Sequence, residues 1–432
     1  MPTPEVAPTG ATPTTTNQSG SRGKHQIHWS EGVWKALDHA VMEEMRRTRV
    51  AAKFLPHAHV EKKQTNVAAD VVISPGQAAL LVKALPPADP ALFVDESQQN
   101  RIQEYWVTFR MSVAQVEEEE HAEALMRHHE PPAHQIEPTP PHSGPVGAHP
   151  EHHHMMNSHR ASTGCSLAMR TANVLAQAED LILFNGANAV ASAGLFTGSV
   201  VQALDKNLLG DLDLGLLNIK PVPNPVANQP PIPTITLPST QVVVVHPVPP
   251  LGGGPQPVPP RYAENTLNAV AQAFSTLQLL GHYEHYALAL HTIPYADLHE
   301  ALPTTLIQTV EPISHLIKAG IHGSGTFPPF DGATAGIPTK IFDANGVAQD
   351  LSDASLNNTW GRAKKVLYTG VLVSLSGNTM DHVRGKMEDH LDVIVTFNQK
   401  DQNEQYRFRV VERFCLRLKD PSAVILFLFV DQ

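Results

Sequence analysis

Two cysteines, Cys165 and Cys415, are all that the 432 residues contain. Neither lies in a Cys-x-x-Cys pattern, which excludes a thiolate zinc centre and a disulfide framework. Both are read as buried free thiols, with one disulfide between them as the other reading. Charge is scarce too: Asp, Glu, Lys and Arg make up 17% of the chain, against about a quarter in an average protein. Basic residues are outnumbered 31 to 42, for a net charge of −11. That balance speaks against a nucleic-acid partner, which calls for a basic face, and against an anionic membrane surface. No apolar run approaches the roughly 20 residues of a membrane span. Residues 1–23 have no apolar stretch of the secretory kind, and the expected compartment is the cytoplasm. Phosphate loops, dinucleotide loops, His-Glu-x-x-His and Gly-x-Ser-x-Gly elbows are all missing. No catalytic residue is singled out, and the chain is read as a non-enzyme with no cofactor.

What the sequence does have is proline and histidine. The 37 prolines are well above the average share of about 5%, while 42% hydrophobic residues still permit a sizeable core. A folded chain with Pro-rich excursions is expected. Nine histidines (128, 129, 134, 142, 149, 152, 153, 154 and 159) crowd one Pro-rich stretch. Clustered imidazoles bind transition metals, and His152, His153 and His154 are the weak candidates for ligands. A structural site, however, needs a fixed geometry that Pro-rich loops do not supply, so no firm metal site is assigned. The stretch is read as a solvated loop, with a pH-sensitive role as a further alternative.

Periodicity supplies the elements. Ser30 is a helix N-cap candidate, and Val33, Trp34, Leu37, Val41 and Met45 recur at helical spacing after it. Short apolar runs at 71–73, 79–82 and 92–94 suit extended ribbon. From 101 to 113, Tyr105, Val107, Phe109, Met111 and Val113 alternate as a strand, with Gln103 the exception. A helix starts after it through the acidic run 117–120. A long helix is expected over 162–185, stopped by Gly186. A short strand is expected within 241–245, then a helix over 262–280, a strand over 286–290, a short helix over 295–300 and another over 305–319 broken near Pro312. Strands are expected over 365–375, 391–397, 406–418 and 423–430. The Gly-rich run 320–325 reads as a turn. The acidic neighbours Glu179–Asp180 and Glu388–Asp389 read as surface ion pairs on their own elements rather than as acid–base catalysts.

Three stretches are more specific. Glu179 and Asp180, the apolar run Leu181, Ile182, Leu183 and Phe184, Gly186, and then Gly194 and Leu195 follow one another closely. Near the start stand Trp34, Leu37, Arg49, Lys53, Phe54 and Leu55. Near the end stand Glu412 and Phe414, then Pro421, Ala423 and Leu426. Together and in this order they resemble the encapsulins, also known as linocin-type bacteriocins, over about two-thirds of the chain.

The resemblance implies a mixed α/β (α+β) fold of the Hong Kong 97 phage-capsid type. Residues 1–26 would be a disordered tail, 27–60 an N-terminal helix and arm, and 61–100 the extended loop. Residues 101–126 and 161–217 would form the peripheral domain with its spine helix, and 386–432 its C-terminal strands. Residues 262–385 would be the axial domain, with a pore segment near 376–386. The His/Pro insert (127–160) and the Pro-rich insert (218–261) depart from the family, and 376–386 lacks the family's usual pore sequence. The implied function is a shell subunit that assembles with itself into an icosahedral nanocompartment around a cargo enzyme. That cargo would be a peroxidase or ferritin-like protein bearing a C-terminal targeting peptide. By the same resemblance Trp34, Leu37, Val41 and Ile425 are the cargo-binding candidates, with plain core packing as the alternative. A phage major capsid protein is the alternative identity, and a His-rich metal buffer a more distant one.

Overall fold

A computed structural model describes residues 27–73, 93–95, 99–128, 163–186, 201–203, 215–217, 241–249, 260–301, 306, 308–327, 340–342, 348–350, 366–387, 390–394 and 405–431. The apolar run 79–82, the pair Glu388–Asp389 and the triplet His152, His153 and His154 lie outside these residues.

The first helix, α1 (Glu31–Thr48), begins where its cap requires, with the Ser30 hydroxyl accepting the Val33 N–H. A 3-10 turn (Ala51–Lys53) follows. Five short strands come next: β1 (His57–Val60), β2 (Asn66–Ala68), β3 (Val71–Ile73), β4 (Phe93–Asp95) and β5 (Gln99–Arg101). The strand β6 (Gln103–Ser112) has the alternation expected of it. Gln103 proves no exception, since it is buried on the same face as Tyr105, Val107, Phe109 and Met111. Val113, expected as the last strand residue, instead opens helix α2 (Val113–His128). The cause is a reciprocal cap: Gln115 Oε1 accepts the Ser112 N–H at 2.9 Å, and Ser112 Oγ accepts the Gln115 N–H at 3.2 Å. These bonds turn the chain out of the sheet within one residue.

The long helix α3 (Thr163–Asn185) has 23 residues, or roughly 35 Å at 1.5 Å per residue. Gly186 ends it at φ +86°, a left-handed position that glycine occupies without Cβ strain. Strand β7 (Val201–Ala203) and strand β8 (Val242–Val245) follow, then helix α4 (Ala263–Leu279), strand β9 (Tyr286–His291) and helix α5 (Thr292–Leu298). Helix α6 (Val310–Leu316) is shorter than expected. Pro312 sits inside its first turn, where the missing N–H has no helical partner to lose. Gln308, expected within the helix, bridges instead to Ala301. The Gly-rich run is mostly not a turn: Ile321–Ser324 is strand β10, parallel to β9.

The remaining strands are β11 (Lys340–Phe342), β12 (Ala348–Asp350), β13 (Val366–Ser374), β14 (Met380–Gly385), β15 (Leu391–Ile394), β16 (Gln405–Leu418) and β17 (Val424–Val430). Strand β14 was not anticipated; it occupies the stretch expected to line a pore.

Two sheets carry the fold. One is six-stranded, in the order β1-β14-β16-β6-β7, with β15 also paired to β16. The other is five-stranded, in the order β10-β9-β13-β17-β8. The chain passes between them three times, the first from β7 to β8. It leaves β13 for β14 through a turn holding Gly377 at φ +73° and Asn378 at φ +61°. It leaves β16 for β17 through a 3-10 turn (Pro421–Ala423) whose first N–H groups Asp420 caps. Sheet pairing therefore crosses the grouping of 262–385 apart from 386–432: β14 pairs with β16, and β17 pairs with β13. The Pro-rich stretch 218–261 likewise contributes β8, the strand expected at 241–245, to the five-stranded sheet.

All seven residues of β17 are buried, because both faces of this sheet are covered. Val424, Leu426, Leu428 and Val430 enter a core shared with α1, α3 and β6. Ile425, Phe427 and Phe429 enter a second core beneath α4. Each fully buried Leu, Ile or Phe contributes on the order of 2 kcal/mol in apolar transfer, which makes this strand a main stabiliser of the chain. On the outer face of the six-stranded sheet, Arg413 donates to the carbonyls of Lys62 and Gln64. Arg417 there bonds Asp70 and Asp381. These contacts tie the stretch after β1 down onto the sheet.

Candidate functional site

The motif residues named above meet on the inner face of the six-stranded sheet. Helix α1 ends with the Arg49 N–H still bonded to Met45 O at 3.0 Å, and from there the Arg49 side chain runs inward. Its Nε donates to Glu179 Oε2 on α3, and its Nη2 donates to Glu412 Oε2 on β16. The second Glu412 oxygen accepts from Arg384 of β14. His382, two residues before Arg384 and so on the same strand face, places Nε2 3.1 Å from Glu179 Oε1. That is close enough for a charge contact but off the line of a hydrogen bond. Two guanidinium groups thus face two carboxylates, with a buried imidazole at the edge.

Asp180, the next residue of α3, turns to the chain just past α1. Its oxygens accept the Val50 N–H at 2.7 Å and the Ala51 N–H at 2.8 Å. The carboxylate pair expected to make ion pairs on the surface of its own helix is instead buried, Glu179 at 0% and Asp180 at 2% exposure. Its partners come from other segments, because α1 and the sheet enclose α3.

The electrostatics follow from that burial. Burial alone would raise the Glu179 carboxyl, but the Arg49 charge and then His382 outweigh it and hold the group well below the usual carboxylate range. For Arg49, the charges of Glu412 and Glu179 likewise overcome the effect of burial and push its pKa up. Asp180 goes the other way: burial, joined by the neighbouring Glu179 charge, pushes it up to about 7 against the pull of its two backbone N–H bonds. A cavity of about 310 Å³ opens beside Asp180, between Thr48, Val50, Gln177 and Leu181 on one side and Gly323, Ser324, Gly325 and Thr326 on the other.

The cargo-binding candidates are all covered. Trp34, Leu37 and Val41 are buried against α3 and β16 in the first core, with Trp34 and Phe408 ring centroids 6.4 Å apart. Ile425 lies in the second core, on the opposite face of the five-stranded sheet. The structure therefore brings the three α1 residues together and sets Ile425 apart from them. Cys165 and Cys415 form no disulfide; Cys165 is buried as expected, whereas Cys415 is only half-buried. Sequence reasoning missed His382 and Arg384, since their strand was not recognised. The available signal was Met380, His382 and Arg384 alternating with Asp381, Val383 and Gly385.

One hydroxyl–imidazole contact resembles a nucleophile pair: Ser422 Oγ lies 2.9 Å from His282 Nε2. The same hydroxyl also lies 2.5 Å from Asp420 Oδ1, which in addition accepts the Ser422 N–H at 2.9 Å. The acid holds the serine rather than the far nitrogen of the imidazole, the reverse of a catalytic relay. The trio caps the turn that leads into β17. Among the described residues no group of three or more His, Cys, Asp or Glu is placed to hold a metal ion. No described helix is long and apolar enough to cross a membrane.

No family model matches the chain, and no curated protein matches it. Solved structures do resemble it. A virus-like particle from Pyrococcus furiosus is similar over 92% of this chain and 100% of its own, at 11% identity and a TM-score of 0.45. The mature capsid of bacteriophage PhiM1 covers 89% and 88%, at 9% identity and a TM-score of 0.38. The holo-SrpI encapsulin complex from Synechococcus elongatus covers 88% of each chain, at 9% identity and a TM-score of 0.37. Likeness at this depth assigns neither a ligand nor an activity.

Proposed function

We propose that this chain is a non-enzymatic shell subunit that assembles with itself into a closed, icosahedral, encapsulin-like nanocompartment of the Hong Kong 97 type. One observation carries this reading: the three stretches on which the encapsulin resemblance rests converge on one buried ion cluster. Arg49 comes from the first, Glu179 from the second and Glu412 from the third. Residues scattered through the sequence by chance have no reason to meet in this way.

As a shell, the function is physical. Closed symmetry buries the surfaces and strand edges that a lone subunit leaves open. In the proposed layout 61–100 is the extended loop, 101–126 and 161–217 belong to the peripheral domain, and α4 with the five-stranded sheet forms most of the axial domain. The partners are other copies of the chain and a cargo protein with a C-terminal targeting peptide, a peroxidase or ferritin-like protein. Trp34, Leu37, Val41 and Ile425 are proposed to shape the wall on which that peptide docks. The setting is the cytoplasm, with neither membrane nor nucleic acid as partner.

Negative-stain microscopy of the purified chain tests the proposal. Uniform closed particles are expected, with a co-purifying protein identified by mass spectrometry. Monodisperse small oligomers would overturn the shell reading. Particles filled with nuclease-protected nucleic acid would reassign the chain as a phage capsid protein.

A further inference from the structure

Strand β1 is the edge of the six-stranded sheet and only four residues long. It pairs in parallel with β14, and the register sets His57 beside His382 and His59 beside Arg384. Paired residues in neighbouring strands share a face, and the His57 and His382 rings stand 5.3 Å apart. His382 is fully buried, whereas His57 lies on the exposed side of the pair and covers it.

We propose that the His57–His382 contact is an acid-sensitive fastener: protonating His57 drives β1 off β14 and frees the stretch of chain that leads away from it.

The charges around the pair support this. Acting on His57 are His382 and Arg384 from β14 and Glu179 from α3, with Arg49 and Glu412 bonded in turn to Glu179 and Arg384. The two arginines are matched by Glu179 and Glu412. His382 Nε2 lies 3.1 Å from Glu179 Oε1. A proton on His57 meets Arg384, whose carboxylate partner Glu412 also serves Arg49. Burial, followed by His382 and Arg384, already holds His57 below its ordinary value of 6.5 against the pull of the Ala52 carbonyl. A base whose pKa is lower when docked than when free stabilises docking above its free pKa and loses that contribution as pH falls through it. The docked strand therefore weakens below about pH 6.5.

Hydrogen exchange of the full chain, read on a peptide spanning β1 at about pH 7.5 and about pH 5 and corrected for intrinsic rates, tests this. Opening of β1 is expected to rise in acid. A peptide from β6 is expected to stay unchanged. His57→Gln is expected to abolish the rise and His59→Gln to keep it. His57→Lys, charged at every pH, is expected to open β1 already at the higher pH. The proposal is overturned by a wild-type strand indifferent to acid, by a His57→Gln chain that opens as wild type does, or by a His57→Lys chain closed at the higher pH. Each readout is made on the chain whether or not it assembles, so failure here leaves the shell reading untouched.

Discussion

Arg49 and Glu412 share a buried ion pair although 363 positions separate them in the chain. The pair joins the first helix to the longest strand, and Glu179 closes the contact from the long helix α3. A guanidinium with both faces of its fork engaged matches carboxylate geometry in a way that an ammonium cannot.

Arg49→Met leaves Glu179 without its guanidinium partner and Glu412 with Arg384 alone. Removing one partner of a buried pair costs about 3–5 kcal/mol. The expected result is a denaturant midpoint lowered accordingly, or no folded protein at all. Arg49→Lys is expected to rescue only part of the loss. A midpoint unchanged in Arg49→Met would mean that the cluster is not formed in solution.

Asp180 gives a signed pH dependence. Its carboxyl sits at about 7 in the fold, above the free value of about 3.9, so the folded chain binds the proton more tightly. Its contribution is therefore fully present in acid and lost as pH rises from about 4 towards 7. Glu179, depressed far below its free value, holds its contribution constant over that window and loses it only in stronger acid. Asp180→Asn is expected to flatten the stability profile between about pH 4 and 7, as followed by urea unfolding at each pH. A mutant profile with the wild-type slope would reject the assignment.

The abrupt passage from β6 into α2 rests on Ser112 and Gln115. Ser112→Ala is expected to cost about 1 kcal/mol, the usual value of an N-cap, and to fray the first turn of α2. Circular dichroism and the unfolding midpoint would report it. Stability unchanged within a few tenths of a kcal/mol would show that the reciprocal cap adds nothing there.

Ile425 is fully buried in the centre of the five-stranded sheet. Ile425→Ala is expected to cost about 2–5 kcal/mol. Cargo capture, if affected at all, should fall only in step with stability. Loss of a co-purified cargo at unchanged melting temperature would instead mark Ile425 as a direct contact. Val41→Ala makes the same comparison from the first core.

Much of this was legible in the sequence because local periodicity survived packing. Strand β6 and helices α1, α3 and α4 fall where alternation and helical spacing put them. The misreadings have physical causes. Val113 was misassigned because a side-chain cap, not hydrophobicity, ends the strand. Strand β14 went unread because Asp381 and His382 are buried polar residues and Arg384 a half-buried one, each facing partners remote in sequence. Glu179 and Asp180 were taken for a surface pair for the same reason: their counter-charge and N–H donors come from segments about 130 positions away. Periodicity reports burial of apolar groups and is silent about buried charge.

The last passage between the sheets also governs the order in which the molecule can come into being. Strand β16 is paired on both sides in one sheet and strand β17 on both sides in the other, and both are made after residue 404. Until then each sheet exists as halves with no strand to join them. Neither sheet can close before the stretch after residue 404 has been made.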